Sequence, residues 1–176
     1  MQHEIIIAGF GGQGILSAGR LLAYAGMLEG REVSWLPSYG PEMRGGTANS
    51  MIVISDEPVA SPFINSCSAL IVMNNPSMAK YESYVDAGGI IVYDNSLITL
   101  LPTRTDVNSF GIPATKMALD MNESSYSNVF LLGKLIEQTG CVSVESFEKA
   151  LYGVLPKRKH GMIPDEMQVL ARGMAY

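Results

Sequence analysis

The chain has few charged residues. Asp, Glu, Lys and Arg make up 16% of its 176 residues, against roughly 25% in an average soluble domain. Apolar residues make up 47%, so apolar groups must form part of the surface. A surface of this kind is typical of a protein that buries area against another protein. We therefore expect a subunit of a larger assembly and not a free monomer.

Basic residues are scarce as well. The net charge is −5, and the one cluster of basic residues is the segment KRKH at 157–160. A protein that binds the phosphates of nucleic acids needs a wider basic surface, so we expect no nucleic-acid partner. The segment is predicted to be a solvated turn after Pro156. Docking on an acidic partner or on an anionic ligand is the alternative.

Cysteine and histidine are too few for several kinds of catalytic centre. Cys67 and Cys141 are far apart in the sequence and no C-x-x-C pair occurs, which excludes an iron–sulfur cluster or a zinc site made by this chain alone. Isolated thiols suit a reducing compartment, and both are predicted to act as small apolar side chains. His3 and His160 are predicted to be solvated, and no Ser–His or Cys–His nucleophile pattern is present.

Long apolar runs are missing too. Runs such as ALIVM at 69–73 are too short to cross a bilayer. No basic leader precedes the first predicted strand, so no signal peptide is expected. These observations favour a cytoplasmic protein without a membrane partner.

The residues that are present predict an α/β fold in a single domain over 1–176. Short β-branched runs alternate with segments of helical periodicity, and strands this apolar favour a mostly parallel sheet covered on both faces, in three α/β/α layers. The sequence predicts about six strands, at 4–9, 32–37, 47–55, 68–74, 88–94 and 106–110. Helices are predicted at 14–30, 127–140 and 143–155, with a final segment at 165–176.

The first glycine segment joins the first strand to the first helix. Gly9, Gly11 and Gly14 match G-x-G-x-x-G, a pattern that can present backbone N–H groups to an anion. A dinucleotide site also needs an acidic residue at the end of the second strand, but Glu29 and Glu32 lie before or at its start. NAD or FAD binding is therefore disfavoured. A structural tight turn, contact with a phosphate-bearing ligand, and contact with a partner backbone all remain open.

A second glycine segment, LPSYGPEMRGGTANS at 36–50, follows the second strand. Its two prolines and three glycines predict a shaped loop at the carboxyl edge of the sheet, where open α/β sheets place their binding crevice. Glu42 and Arg44 are its charged residues, and Ser38 and Tyr39 supply hydroxyl groups. The loop is interpreted either as a long connection with an exposed Glu42–Arg44 pair or as a recognition surface.

These two segments carry a resemblance to a known family. GFGGQG followed by SYGPEMRGGTAN resembles the gamma subunit of the 2-oxoacid:ferredoxin oxidoreductases. The likeness covers nearly the whole chain and includes VISDEPVASP, IPATKMA and NVFLLGKLI. The segment PSYGPEMRGGTAN looks most like that of the 2-oxoglutarate branch of the family (2-oxoglutarate synthase), with the pyruvate and branched-chain members as close alternatives.

The resemblance implies a Rossmann-like domain in a multisubunit enzyme. Such an enzyme decarboxylates a 2-oxoacid on thiamine diphosphate, passes the acyl group to coenzyme A and sends electrons through iron–sulfur clusters to ferredoxin. The implied partners are alpha, beta and ferredoxin-like delta subunits, which would hold the thiamine diphosphate, magnesium and clusters. This chain would bind no cofactor or metal alone and supply no catalytic residue. Its sequence agrees, because it has no G-D-G stretch followed by paired asparagines.

The resemblance also implies two groups of site residues. The first group would face coenzyme A or an anion, and the side-chain amide of Gln13 would act there as both hydrogen-bond donor and acceptor. This group consists of Gly11, Gly12, Gln13 and Gly14. The other faces the partner subunits, and Arg44 would offer a fixed positive charge; its members are Ser38, Tyr39, Gly40, Glu42, Arg44, Gly45 and Gly46. Alternatives are a stand-alone nucleotide-binding protein or small dehydrogenase, and a scaffold that contributes only packing area.

Overall fold

The computed structural model describes residues 1–38 and 47–176. The described chain forms a six-stranded sheet in the order β2-β3-β1-β4-β5-β6. Pairs β1–β4, β4–β5 and β5–β6 are parallel, and β3 is antiparallel to both of its neighbours, β1 and β2. The predicted mostly parallel sheet is confirmed, with β3 as its reversed strand. The strands are β1 Gln2–Phe10, β2 Glu32–Ser38, β3 Thr47–Ser55, β4 Cys67–Val72, β5 Val85–Asp94 and β6 Asn108–Ile112.

Side chains of the central strands are buried on both faces of the sheet. Along β1, Ile5 and Ile7 face one hydrophobic cluster while Ile6 and Ala8 face another, and none of the four is exposed. Successive side chains of a strand point to opposite faces, so a strand buried on both sides must be apolar at every position. This accounts for the uninterrupted apolar run that predicted the strand.

The two faces are covered unequally. The thicker layer holds α1, α3, α4, α5 and α6, and the thinner one holds α2 and connecting segments. The helices α2 and α3 were not predicted from the sequence. The helices are α1 Ile15–Leu28, α2 Asn75–Tyr81, α3 Ala114–Asp120, α4 Ser127–Thr139, α5 Val144–Val154 and α6 Ile163–Ala175, with 3-10 turns at Glu82–Tyr84, Ser124–Tyr126 and Lys157–Met162. No helix among the described residues is long and apolar enough to cross a membrane.

Helix α1 packs closely on the sheet at two of its glycines. Its residues Ile15, Ala18, Leu22 and Ala25 are all buried. A Cβ on Gly19 would lie 2.6 Å from the Cβ of Ser50, and one on Gly26 would lie 3.0 Å from Ile54 Cγ2. The ends of the later helices also match the sequence. Gly140 ends α4 in the left-handed conformation, and the Ser143 hydroxyl accepts the N–H of Ser146 at the start of α5.

The prediction for one of the two histidines needs correction. His3 is buried, 9% exposed, because β1 starts at Gln2 and pairs His3 with Ile54. Desolvation lowers the pKa of His3, and the nearby Arg31 guanidinium lowers it further. His160 is half-buried, with Nε2 3.0 Å from the carbonyl oxygen of Leu155 and its ring against Tyr152. His3 was wrongly predicted to be solvated, whereas His160 remains partly exposed to solvent.

Candidate functional site

The first glycine segment forms the loop between the carboxyl end of β1 and the start of α1. Gly12 has φ of 93° and Gly14 has φ of 76°, a region of backbone angles that glycine enters without a Cβ penalty. Gly14 is also the N-cap of α1. A Cβ there would lie within 2.2 Å of the Asn128 side-chain nitrogen. Gly14 is therefore required both by its backbone angles and by the approach of α4.

The side chain of Gln13 holds this loop in shape. Its Oε1 accepts the backbone N–H of Phe10 at 2.7 Å, and its Nε2 donates to the carbonyl oxygen of Met73 at 3.0 Å. These bonds tie the carboxyl end of β1 to the residue that follows β4. A Cβ on Gly9 would lie 2.5 Å from Gln13 Oε1, so the first glycine of the motif makes room for this amide. The sequence did not reveal this internal use of Gln13.

The N-terminus of α1 opens directly at the loop. Within residues 1–38 and 47–176 no side chain caps it, so the first N–H groups of the helix are available there to an outside acceptor. Such groups, together with the helix dipole, attract anions. The start of α4 lies beside them, because Asn128 Nδ2 donates to the carbonyl oxygen of Gly14 at 3.1 Å.

A cavity of about 370 Å³ adjoins the glycine loop. Its wall is made by the loop, by the starts of α1, α3 and α4, and by the segment between α5 and α6. Hydroxyl and amide groups line much of it, and Lys159 and Glu166 bring opposite charges. Its polar members are Gln13, Ser17, Thr115, Ser124, Ser125, Ser127, Asn128, Lys159 and Glu166. The cavity was not predicted from the sequence, because these residues come from segments more than 100 residues apart. The basic segment at 157–160, interpreted as a possible contact for an anionic ligand, was the one sequence feature that pointed to it.

Lys159 and Glu166 differ in their surroundings. Lys159 is exposed, whereas Glu166 is 8% exposed. Desolvation raises the pKa of Glu166, and the nearby Lys159 ammonium opposes that rise. Among the described residues, the two side chains form no ion pair with each other. The cavity can therefore offer a cation to an anionic group and a separate carboxylate to a hydrogen-bond donor.

Asp94 organises the strand end beside this cavity. The carboxylate is fully buried and accepts the backbone N–H of Ser96 at 3.0 Å and that of Thr115 at 2.9 Å. The hydroxyl groups of Ser96 and Thr115 donate to it as well. Asp94 thus joins the end of β5 to the start of α3.

The second glycine segment starts at the same edge of the sheet. Ser38 is the last residue of β2 and pairs with Asn49, while Phe10, the last residue of β1, pairs with Thr47. Both strands therefore end at the edge that carries the cavity. Ser38 is exposed there. The other predicted members of this group lie outside the described residues; they are Tyr39, Gly40, Glu42, Arg44, Gly45 and Gly46.

The two cysteines lie in the interior, as predicted. Cys67 and Cys141 are both fully buried, and burial raises the pKa of Cys67 to about 12. Such a thiol stays protonated at neutral pH and is a poor nucleophile. Within residues 1–38 and 47–176, no group of three His, Cys, Asp or Glu side chains is placed to hold a metal ion.

Comparison with known proteins agrees with the resemblance carried by the glycine segments. The family model for pyruvate ferredoxin/flavodoxin oxidoreductase matches residues 4–176. The ketoisovalerate oxidoreductase subunit VorA of Methanothermobacter thermautotrophicus is 41% identical over 84% of this chain, but the chain spans only 31% of that protein's length. The 2-oxoglutarate synthase subunit KorC of Methanocaldococcus jannaschii is 37% identical over 89% of this chain and 86% of its own length.

A solved structure shares the fold from end to end. The gamma subunit of a keto/oxoacid ferredoxin oxidoreductase from Geobacter sulfurreducens superposes with a TM-score of 0.84 at 29% identity, over 99% of both chains. This likeness confirms the α/β fold that the sequence predicted. With the match to the family model over nearly every residue, it identifies the chain as a member of the pyruvate ferredoxin/flavodoxin oxidoreductase family.

Proposed function

We propose that residues 1–176 are a single domain that serves as the gamma subunit of a cytoplasmic 2-oxoacid:ferredoxin oxidoreductase. The proposal is supported by family membership over residues 4–176 and by relatives that the chain matches nearly end to end, KorC and the Geobacter gamma subunit. The alpha, beta and delta subunits would hold thiamine diphosphate, magnesium and the iron–sulfur clusters. The reaction would then take place next to this chain, and ferredoxin would not contact this chain directly.

The proposed reaction converts 2-oxoglutarate, coenzyme A and oxidised ferredoxin to succinyl-CoA, CO2 and reduced ferredoxin. Relatives named for 2-oxoglutarate and for ketoisovalerate have similar identities, 37% and 41%. The 2-oxoglutarate relative is favoured because this chain covers 86% of its length, against 31% for the ketoisovalerate relative. A branched-chain oxoacid or pyruvate is the alternative substrate, and the oxoacid pocket itself is expected in a partner subunit.

The glycine loop and its cavity would face coenzyme A. The observation that carries this proposal is the N-terminus of α1, which no described side chain caps and which opens on the same cavity as Lys159. Coenzyme A is a phosphate-bearing substrate, and backbone N–H groups, hydroxyl groups and a lysine are the groups that hold phosphates in proteins. The Glu166 carboxylate could accept a hydrogen bond from an amino or hydroxyl group of the same ligand.

The segment from Ser38 to Gly46 would contact the partner subunits. It leaves the sheet at the edge that carries the cavity, because β2 and β1 end together there. Within this segment Arg44 would supply a fixed positive charge for a carboxylate or a phosphate. The chain would then act indirectly, by excluding water and positioning its partners while the reaction proceeds.

The coenzyme A contact is tested with Lys159→Ala in the assembled complex. Loss of a charged phosphate contact worth about 1 kcal/mol should raise the KM for coenzyme A roughly fivefold, while the KM for the oxoacid stays unchanged. Lys157→Ala is the matched control, because Lys157 belongs to the same turn but does not line the cavity. Equal KM values for coenzyme A in the two variants would remove Lys159 from the site.

A stand-alone nucleotide-binding protein is the second candidate, because the glycine loop has the backbone geometry of an anion site. The absence of an acidic residue from the end of the second strand argues against it. Titration of the isolated chain with NADH separates the two. Micromolar binding would favour the stand-alone protein, and the absence of binding would favour the subunit.

A further inference from the structure

Asp94 is a buried carboxylate whose charge is not balanced by a cation. The side chain is fully buried, and among the described residues it makes no ion pair. Burying such a charge costs free energy unless hydrogen bonds compensate for it. Both oxygens are used for this purpose: Oδ1 accepts the backbone N–H and the hydroxyl of Ser96, and Oδ2 accepts those of Thr115.

This arrangement suits a carboxylate and not the corresponding amide. All four partner groups of Asp94 are donors. An asparagine has a single acceptor oxygen, and its amide nitrogen can only donate, so that nitrogen would face a pair of donors. The carboxylate therefore fixes the direction of every hydrogen bond that it makes.

The direction imposed on Thr115 reaches the cavity beside the glycine loop. The Thr115 hydroxyl oxygen lies 2.6 Å from Oδ2 of Asp94. An ionised carboxylate has no proton to give, so the single proton of the hydroxyl points to Asp94. Thr115 is half-buried and lines the cavity together with Gln13 and Lys159. Its oxygen can therefore accept a hydrogen bond from a ligand but cannot donate one.

Ser125 repeats this pattern in the wall of the same cavity. Its hydroxyl donates to Oε1 of Glu123 at 2.6 Å. Hydrogen bonds from the Ser125 hydroxyl and backbone N–H lower the pKa of Glu123, so this carboxylate is also an acceptor at neutral pH. Ser125 lines the cavity and, like Thr115, presents an oxygen whose proton is already in use.

These acceptors complement the donors of the cavity. Lys159 and the first N–H groups of α1 can hold an anionic group, whereas Thr115 and Ser125 need a ligand group that donates. Coenzyme A has both kinds of group, because it carries phosphates as well as amino, amide and hydroxyl groups. A site that accepts a hydrogen bond from its substrate discriminates against molecules that lack the donor, since its own polar atom is then left unpaired.

We propose that the Thr115 hydroxyl accepts a hydrogen bond from an N–H or O–H group of coenzyme A, and that Asp94 is the positioning residue that orients this hydroxyl. The inference rests on the proposed function, because it takes its ligand from the coenzyme A contact. It adds a ligand contact outside both glycine segments and the basic turn, and it gives the buried charge of Asp94 a role in binding.

The orientation of the Thr115 hydroxyl is tested by NMR on the full, unaltered chain. A hydroxyl proton held by a buried carboxylate exchanges slowly with water and gives an observable signal, whereas a freely rotating one does not. The Thr115 hydroxyl proton should be observed, and Thr115→Val should remove its signal. Absence of the signal from the unaltered chain would overturn the positioning role of Asp94.

The ligand contact is tested by steady-state kinetics of the assembled complex. Thr115→Val should raise the KM for coenzyme A roughly fivefold, as expected for one hydrogen bond, with the KM for the oxoacid unchanged. Thr115→Ser keeps the hydroxyl and should stay within twofold of the unaltered complex. Thr139→Val is the matched control, because the Thr139 hydroxyl also donates internally, to Leu135 at 2.7 Å, but does not line this cavity.

A double-mutant cycle tests whether Asp94 acts through Thr115. In Asp94→Asn the Thr115 hydroxyl can turn its proton toward the cavity, so the KM for coenzyme A should rise at least threefold. Adding Asp94→Asn to Thr115→Val should raise the KM no further, because the hydroxyl is already absent. Additive increases would show that Asp94 acts only on the general structure and would overturn its positioning role. Should Asp94→Asn melt too early for the assay, the NMR signal decides this role.

The possible results separate this inference from the proposed function. If neither Lys159→Ala nor Thr115→Val changes the KM for coenzyme A, the proposed coenzyme A contact fails at this cavity, and the inference fails with it. If Lys159→Ala raises the KM and Thr115→Val does not, the Thr115 contact alone is overturned. Equal increases in Thr115→Val and Thr115→Ser would also overturn it, because the hydroxyl would then not be the cause.

Discussion

At the scale of single residues, the glycine loop shows what can and cannot be read from the sequence. The strand, the loop and the helix were predictable because each has a local signature: an apolar run, a glycine pattern and a helical period. The uses of Gln13 and Asn128 were not predictable. Their partners, Met73 and Gly14, lie 60 and 114 residues away in the sequence, and no local pattern encodes such contacts.

Gly12→Val tests the backbone of the loop. Gly12 has φ of 93°, and a Cβ there would meet no atom of the described residues within 4 Å, so the expected penalty comes from the backbone conformation. We expect the free energy of unfolding to fall by about 1–3 kcal/mol, measured by urea denaturation. Gly161→Val is the control, because Gly161 also has open space but no positive φ. Equal losses in the two variants would mean that the loop is not conformationally constrained.

The pH dependence of stability tests the buried carboxyl of Glu166. Burial raises its pKa in the folded chain above that in the unfolded chain. Below the unfolded pKa, about 4.3, the carboxyl is protonated in both states and no penalty arises. As the pH rises through the folded pKa, the buried group ionises and stability is lost.

Glu166→Gln stays neutral at every pH. The variant should therefore melt at a higher temperature than the unaltered chain at pH 7, and the difference should vanish near pH 4. Glu148→Gln, at an exposed position on α5, provides the control and should show no such convergence. A Glu166→Gln variant that melts lower at pH 7 would contradict the burial argument.

At the scale of elements, the sequence predicted strands and long helices well but not their arrangement. The reversal of β3 was missed because a strand buried on both faces looks the same in either direction. Helices α2 and α3, seven residues each, are too short to show a period. The His3 error has a similar origin, since burial at the start of β1 depends on its pairing with β3. Arrangement is decided by contacts between elements, which local patterns do not encode.

The packing of α4 against α6 gives a prediction at this scale. A Cβ on Gly173 would lie 2.1 Å from the carbonyl oxygen of Phe130, and one on Gly133 would lie 2.3 Å from that of Leu170. Gly173→Ala must push the helices apart. We expect a loss of about 1–3 kcal/mol in the free energy of unfolding, although alanine is the better helix former. Gln168→Ala, exposed on the same helix, should change stability little, and a Gly173→Ala variant as stable as this control would disprove the close packing.

At the scale of the whole molecule, the carboxyl edge of the sheet brings together the features that point to partners. The glycine loop, the cavity with Lys159 and Glu166, and the end of β2 all lie there. The scarcity of charge had predicted a subunit but could not say which surface would be covered. The cavity escaped sequence analysis because its wall combines residues from Gly12 to Glu166. The two glycine segments correctly indicated this edge of the sheet, because one follows β1, the other follows β2, and these two strands run in the same direction.

Turnover of the complex assembled with and without this chain tests the central claim most directly. The account predicts that the isolated chain neither oxidises 2-oxoglutarate nor reduces ferredoxin. The complex without this chain should show little coenzyme A-dependent reduction of ferredoxin. Adding one equivalent of the chain should restore that activity. Full activity without the chain, or turnover by the chain alone, would contradict the account.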